Sequence, residues 1–370
     1  MKKIVRNALL SVALGTAANA APFLAIGDGA ELFVTGTLGV RSDDNIFLSA
    51  NETSDTIFDI NPGVEITFGK NAALKGSLTL VDSFANYSDN SKLNTNLFSG
   101  DFAVGYEDAK LKMKFNTGYH ELNQNTVDNR GLTRRDEFVI GGSGEVEVSQ
   151  ITSVGAGINF NHTNHKRKGY GDTDELSIPV NFYYKWTQKM DLSLGYQYRD
   201  FQTNVGLDSK DHFFNVGARG ELTEKLTGQV RVGVTTREFS NGGDETLPGV
   251  DASVTYAITP KTSLQLAASN DFGTAPQGQQ QKNLSFTGSI STKLDEQWSL
   301  MAGLGNRSID YYKDKKPRTD ENLTGNLGVT YIVNTYVKIT ASYNYNKNDS
   351  DLASAAYTSN VFGISASIRY

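Results

Sequence analysis

The run Asn360-Val361-Phe362-Gly363-Ile364-Ser365-Ala366-Ser367-Ile368-Arg369-Tyr370 decides the fold. Side chains alternate between the two faces of a strand. Phe362, Ile364, Ala366, Ile368 and Tyr370 therefore share one face, which is apolar. Val361, Gly363, Ser365, Ser367 and Arg369 share the other, which is mostly small or polar. The same period of two runs back to Glu31. Val34, Gly36, Leu38 and Val40 oppose Thr35, Thr37, Gly39 and Arg41. Phe58, Ile60, Val64, Ile66 and Phe68 oppose Asp59, Asn61, Glu65 and Thr67. Leu111, Met113, Phe115 and Tyr119 oppose Lys110, Lys112, Lys114 and His120. Leu226, Val230, Val232 and Val234 oppose Gln229, Arg231 and Thr235. A helix would place these sets at a spacing of 3.6.

The connections alternate in length. Short turns are expected near 69–72, 107–109, 147–150, 187–190, 223–225, 259–262, 295–297 and 334–335. Longer polar loops are expected near 42–53, 86–95, 122–133, 162–172, 201–210, 240–246, 271–283, 312–320 and 346–354. That pattern predicts about 18 strands, an even number, with both ends on the short-turn side. Aromatics gather at strand ends. Phe68, Tyr106, Trp186, Tyr256, Trp298, Tyr331 and Tyr370 stand beside short turns. Phe84, Tyr119, Phe160, Tyr198, Tyr311, Tyr345 and Tyr357 stand towards the long loops. Tyr and Trp combine an apolar body with a polar tip, which suits the headgroup level of a bilayer.

The final strand resembles the closing strand of bacterial outer-membrane barrels. That resemblance implies that Phe362, Ile364, Ile368 and Tyr370 carry the signal read by the barrel-assembly machinery, although Phe is the usual last residue. Hydrocarbon offers no partner to a backbone N–H or C=O, so a sheet with one greasy face must close into a ring. The expected fold is all-β: a transmembrane, antiparallel, up-and-down barrel over residues 21–370.

Composition agrees. The chain has 370 residues, 36 of them Gly, 17 Tyr and 19 Phe, against only 7 Pro, which favours strands joined by tight turns. No apolar stretch outside the N-terminus is long enough for a transmembrane helix. A mean hydropathy of −0.39 is compatible with barrel strands, which are apolar on one face only. The absence of cysteine excludes disulfide and thiolate chemistry and any lipoprotein anchor. Residues 1–20 read as a cleaved secretory signal. Lys2, Lys3 and Arg6 form its basic start, Ala8–Leu14 its apolar core and Ala18-Asn19-Ala20 its cleavage site, so that the mature chain begins at Ala21. Without those three cations, 35 basic residues become 32 against 41 acidic ones, and the formal net charge moves from −6 to −9. An exported acidic chain is a poor ligand for nucleic acid.

The polar strand face would line a lumen, and a ring of this size is wide enough for water. Arg199, Arg219 and Arg231 fall on it in strands nine to eleven. Asp59, Glu65, Asp101, Glu137 and Glu145 fall on it in strands two to six, with Lys75, Lys112 and Lys114 among them. Opposed basic and acidic walls would set up a transverse field; pairing with strand neighbours would cancel it. Inward aromatics are few, with Tyr183 and Phe213 as exceptions, and no loop looks long enough to form a large plug. His162 and His165 stand beside Lys166-Arg167-Lys168, a charge environment that disfavours a metal and suits contact with lipopolysaccharide phosphates. Asp43-Asp44-Asn45 suits a calcium ion or, more simply, a turn. His120 and His212 have no compelling partner for catalysis. No enzyme activity, metal or cofactor is expected.

The run Val40-Arg41-Ser42-Asp43-Asp44-Asn45-Ile46-Phe47-Leu48, followed by Ser54-Asp55, Phe58 and Asn61-Pro62-Gly63-Val64-Glu65, resembles the opening of the second "putative" β-barrel porin family. The motif covers about a tenth of the chain. The resemblance implies an outer-membrane barrel of a Gram-negative bacterium, in contact with outer-membrane lipid and lipopolysaccharide. The function expected is passive diffusion of small hydrophilic solutes through a porin-like channel, with a homo-oligomer as one possible state. Two alternatives stand beside it: a barrel dedicated to export of a surface polysaccharide, and a secreted soluble β-rich binding protein.

Overall fold

The computed structural model describes residues 21–27, 29–129, 131–312 and 317–370. The expected leader, residues 1–20, lies outside the described residues. A short strand, β1 (Leu24–Ile26), comes first. Among the described residues, eighteen long strands follow: β2 (Ala30–Asp43), β3 (Asp55–Phe68), β4 (Leu74–Tyr87), β5 (Thr95–Glu107), β6 (Leu111–Gln124), β7 (Thr133–Ser149), β8 (Thr152–His165), β9 (Thr173–Lys185), β10 (Met190–Thr203), β11 (Ser209–Glu221), β12 (Leu226–Phe239), β13 (Asp244–Thr259), β14 (Thr262–Thr274), β15 (Gln280–Lys293), β16 (Trp298–Tyr312), β17 (Arg318–Ile332), β18 (Val337–Ser350) and β19 (Tyr357–Arg369). From β2 onward each strand pairs antiparallel with its sequence neighbour, and β19 returns to β2. The ring is closed.

Alternation explains which way each strand faces. Leu38, Phe362, Leu194 and Leu304 are 61%, 60%, 63% and 71% exposed. A soluble fold would bury such side chains at roughly 25 cal/mol per Å² of apolar surface. Here they form a continuous outer surface, as lipid contact requires. The ladder between β3 and β4 skips Asn61 and Pro62 and resumes at Gly63↔Val81, because proline has no N–H to donate.

All eight short turns fall where expected, for example at residues 69–73 and 260–261. The loops at the other end are shorter than the sequence suggests. The expected loop at 271–283 is largely hairpin, with Asp271↔Asn283 through Thr274↔Gln280 paired between β14 and β15. Strands that rise above the hydrocarbon lose the apolar alternation but keep their ladder. His162 and His165, expected in a loop, lie in β8 for the same reason. The aromatic bands also need correction. Trp298 and Tyr331 lie 4.7 Å apart with tilted rings beside a short turn, and Phe98 and Tyr119 lie 6.4 Å apart near the other rim. Tyr311 and Tyr357, however, are buried within the barrel rather than facing lipid.

The Asp43-Asp44-Asn45 run braces the seam between first and last long strands. Asp43 Oδ1 accepts from the Asn45 amide at 2.9 Å, closing a turn. Asp44 Oδ1 accepts from the Asn360 backbone N–H at 2.6 Å and Oδ2 from its side-chain amide at 2.7 Å. Fully buried Asn45 donates to the carbonyls of Ser49 and Thr358, both at 2.8 Å. At the opposite end Val34 and Tyr370 exchange backbone hydrogen bonds of 2.6 and 2.9 Å, and β1 covers the edge of β2 at Ala30–Leu32. Asp44→Ala should cost about 2 kcal/mol by removing two charge-assisted hydrogen bonds. The check is the temperature at which the compact, unboiled band is lost on a gel: it should fall for Asp44→Ala and stay unchanged for exposed Glu52→Ala.

Candidate functional site

The site is the inner wall. All eleven charged residues named above lie on the strand face opposite the exposed apolar side chains. Most are held in pairs. Arg41 donates to Asp59 at 2.8 Å. Arg369 donates to Glu65 at 2.9 Å and lies over the Phe33 ring. His120 meets Asp101 at 3.0 Å, and Arg135 donates to Glu137 at 2.9 Å. Arg219 makes a two-pronged contact with Glu145 at 2.6 and 2.7 Å, donates to Asp191 at 2.9 Å and rests on the Tyr183 ring. Arg231 pairs with Asp251. Lys112 reaches Glu107 at 3.2 Å, and Lys114 is exposed beside it. The Arg219–Glu145 contact joins a member of the basic wall to a member of the acidic wall. Opposed free charges are therefore replaced by local pairs, which removes much of the transverse field.

Burial divides the lumen into two levels. Towards the short turns, inward groups such as Glu65, Glu145 and Arg219 keep about a quarter of their side-chain surface. Towards the long loops they are packed. Arg237 is 1% exposed and donates to Asp211 at 2.7 and 2.9 Å, to Gln280 at 2.8 Å and to the Gly273 carbonyl at 2.9 Å. Arg199 binds the same Asp211 and reaches Asp271 at 2.8 Å. Two guanidiniums against two carboxylates satisfy one another, which is what a buried charge requires.

The upper level is crossed by the loop at residues 125–132, which leaves β6 and returns in β7. Asp128 accepts from Arg307 at 2.9 Å and from Gln281 at 2.8 Å. Those partners stand on β16 and β15, half-way round the ring. Beside them Val127 enters an apolar cluster with Ala275, Ile309 and Tyr311. Arg167 and Tyr170 donate to the Asn129 carbonyl, and Asn125 donates to the Ile46 carbonyl at 2.9 Å. Two further loops meet backbone to backbone. A Cβ on Gly206 would stand 2.6 Å from the Gly278 carbonyl oxygen, and both residues have positive φ, so only glycine fits at this crossing.

The loop is short, and its length alone does not mark it as a plug. Its one sequence mark is Val127, an apolar residue within Asn125-Thr126-Val127-Asp128-Asn129. Inward aromatics are also more numerous than expected. Phe33, Tyr87, Phe201, Phe239, Tyr311 and Tyr357 join Phe213 in being at most 9% exposed. They pack against neighbours and present little ring surface to water.

Burial opposes charge on Asp128, but the adjoining Arg307 guanidinium and the Gln281 amide outweigh it and hold the carboxyl below the usual carboxylate range. A depressed folded-state value means that the bond stabilises the docked loop above the ordinary carboxylate pKa of about 3.9 and is lost as pH falls through the lower folded value. Asp128→Asn should cost about 3 kcal/mol of docking, since Arg307 is left without its ion partner. In planar bilayers, single-channel conductance or open-state noise should rise for Asp128→Asn at neutral pH. The parent should approach that behaviour only in strongly acidic buffer.

The fold is similar to that of three solved proteins. OccK5 (OpdH) of Pseudomonas aeruginosa has a TM-score of 0.51 and 11% identity over 95% of this chain and 100% of that one. OccK2 (OpdF) of the same organism has 0.51 and 8% over 92% and 98%. OccAB3 of Acinetobacter baumannii has 0.50 and 8% over 93% and 100%. At these identities the likeness is one of fold. No curated protein matches the chain. The Val40–Glu65 run suggested a porin family by its motif, and a family model matches further along: residues 197–370, a little under half of the chain, carry the pattern of the family described as "Putative beta-barrel porin 2".

Proposed function

We propose that the chain is a narrow diffusion channel of the Gram-negative outer membrane, taking small hydrophilic solutes. The observation that carries this reading is the two-sided wall: a closed ring with exposed apolar side chains outside and hydrogen-bonded charges inside. Such a wall separates hydrocarbon from water and gives solutes a polar path. Asp59, Glu65, Asp101, Lys112, Lys114, Glu137, Glu145, Arg199, Arg219 and Arg231 are read as its lining. Because most of these charges are paired, sieving by size at the level of Asp128 would outweigh selection by charge.

No catalytic role is assigned. His120 is engaged with Asp101 and His212 with the Tyr196 hydroxyl at 2.8 Å, and neither pair adjoins a group that we read as a nucleophile. Polysaccharide export would call for rings open to a passing chain, whereas the inward rings here are packed away. A soluble binding protein would bury the outer apolar belt. The outward row Phe362, Ile364, Ile368 and Tyr370, each 46–60% exposed, is read as the strand face offered to the assembly machinery.

Proteoliposomes should swell in small neutral sugars and progressively less in larger ones, and a salt gradient should give a small reversal potential. Arg219→Gln leaves Glu145 and Asp191 without their cation and should move that potential towards cation preference. An impermeable proteoliposome, or a potential unmoved by Arg219→Gln, counts against the reading.

A further inference from the structure

A basic cleft of about 560 Å³ opens at the rim towards the long loops, lined by Lys92, Arg134, Lys166, Arg167 and Lys168 together with Thr95 and Asn123. Three separate segments supply the cations: the turn after β4, the start of β7 and the loop after β8. Two carboxylates steady it. Asp136 holds Lys166 at 2.8 Å and Glu121 lies 3.5 Å from Arg134, so positive charge remains in excess. Arg167 is anchored from beneath by its bonds to the Asn129 carbonyl and Thr133 Oγ1 at 3.2 and 3.3 Å.

Position gives the cleft its meaning. Arg134, Lys166, Glu121 and Asp136 are the charged neighbours of the Tyr119 phenol. Tyr119 faces outward on β6, 38% exposed, between Phe98 on β5 and Phe138 on β7, which are 41% and 39% exposed. Phe98 and Tyr119 lie ring to ring, and Phe138 is the cross-strand partner of Tyr119. Three aromatic rings on adjacent strands thus end directly under a cluster of cations. Aromatic rings of this kind mark the headgroup level, and basic pockets there bind anionic headgroups.

We infer that this cleft is a binding site for a phosphorylated glycolipid of the outer leaflet. Its phosphates are held by Lys92, Arg134 and Lys168, and its acyl chains descend over Phe98, Tyr119 and Phe138. The inference rests on the outer-membrane reading above, but not on permeation, because Arg134 shares the outward face of β7 with exposed Phe138. Arginine and lysine bind phosphate through charge-assisted hydrogen bonds, and the rings add an apolar contact that a free anion cannot use.

The test uses full-chain protein extracted in detergent, with Lys92→Gln/Arg134→Gln/Lys168→Gln as the charge variant and Phe138→Ala as the ring variant. Bisphosphorylated lipid A, its dephosphorylated form and inorganic phosphate are offered as probes, and retention is read by native mass spectrometry. The parent should retain bisphosphorylated lipid A. The charge variant should bind it roughly tenfold less well or worse, and the ring variant should weaken lipid A but not inorganic phosphate. Equal retention by parent and charge variant overturns the site. Inorganic phosphate bound as tightly as the lipid overturns the glycolipid assignment. Channel conductance of the same preparations should be unchanged by the charge variant. A preparation that binds lipid but does not conduct would reject the channel and leave the lipid site standing.

Discussion

The structure depends on one constraint: within hydrocarbon, a backbone N–H or C=O has nowhere to turn except to another strand. Closure follows, and so does the importance of the seam. Every other long strand meets its partners through a turn or loop adjacent in sequence. The pairing of β19 with β2 brings together residues more than three hundred apart, at a cost in loop entropy that local hairpins avoid. Asp44, Asn45 and Asn360 at one end and Val34 with Tyr370 at the other concentrate hydrogen bonds where chain connectivity gives no help.

Inside the ring the governing term is desolvation. An arginine taken from water must find carboxylate or carbonyl oxygens for its donors. At the wetter level Arg219 does so across a channel wall. At the packed level Arg199 and Arg237 share Asp211, and Arg307 recruits Asp128 from a loop on the far side. Charge inside this barrel therefore organises structure as much as it meets solutes.

Much of this was legible in the chain. Val34, Leu38 and Val40, or Phe362, Ile364 and Ile368, show a lipid-facing strand because lipid punishes any polar residue on that face. Turn positions such as Thr259–Thr262 are legible because alternation stops abruptly there. Legibility ends where lipid ends. Above the rim Asp271 through Thr274 and Gln280 through Asn283 continue a ladder in polar residues that read as loop. Tyr311 and Tyr357 read as rim aromatics because their inward parity is outweighed by their position at strand ends. The Asp128–Arg307 bridge was illegible for a different reason: nothing in a local pattern says which of many lumen arginines an aspartate will meet.

The bridge at residues 125–132 has a mechanical consequence. A hoop braced by a spoke is stiffer along that diameter than an empty one. Lateral pressure in the membrane would therefore be resisted along this diameter, and the wall near Arg307 would move in step with the wall near Gln124.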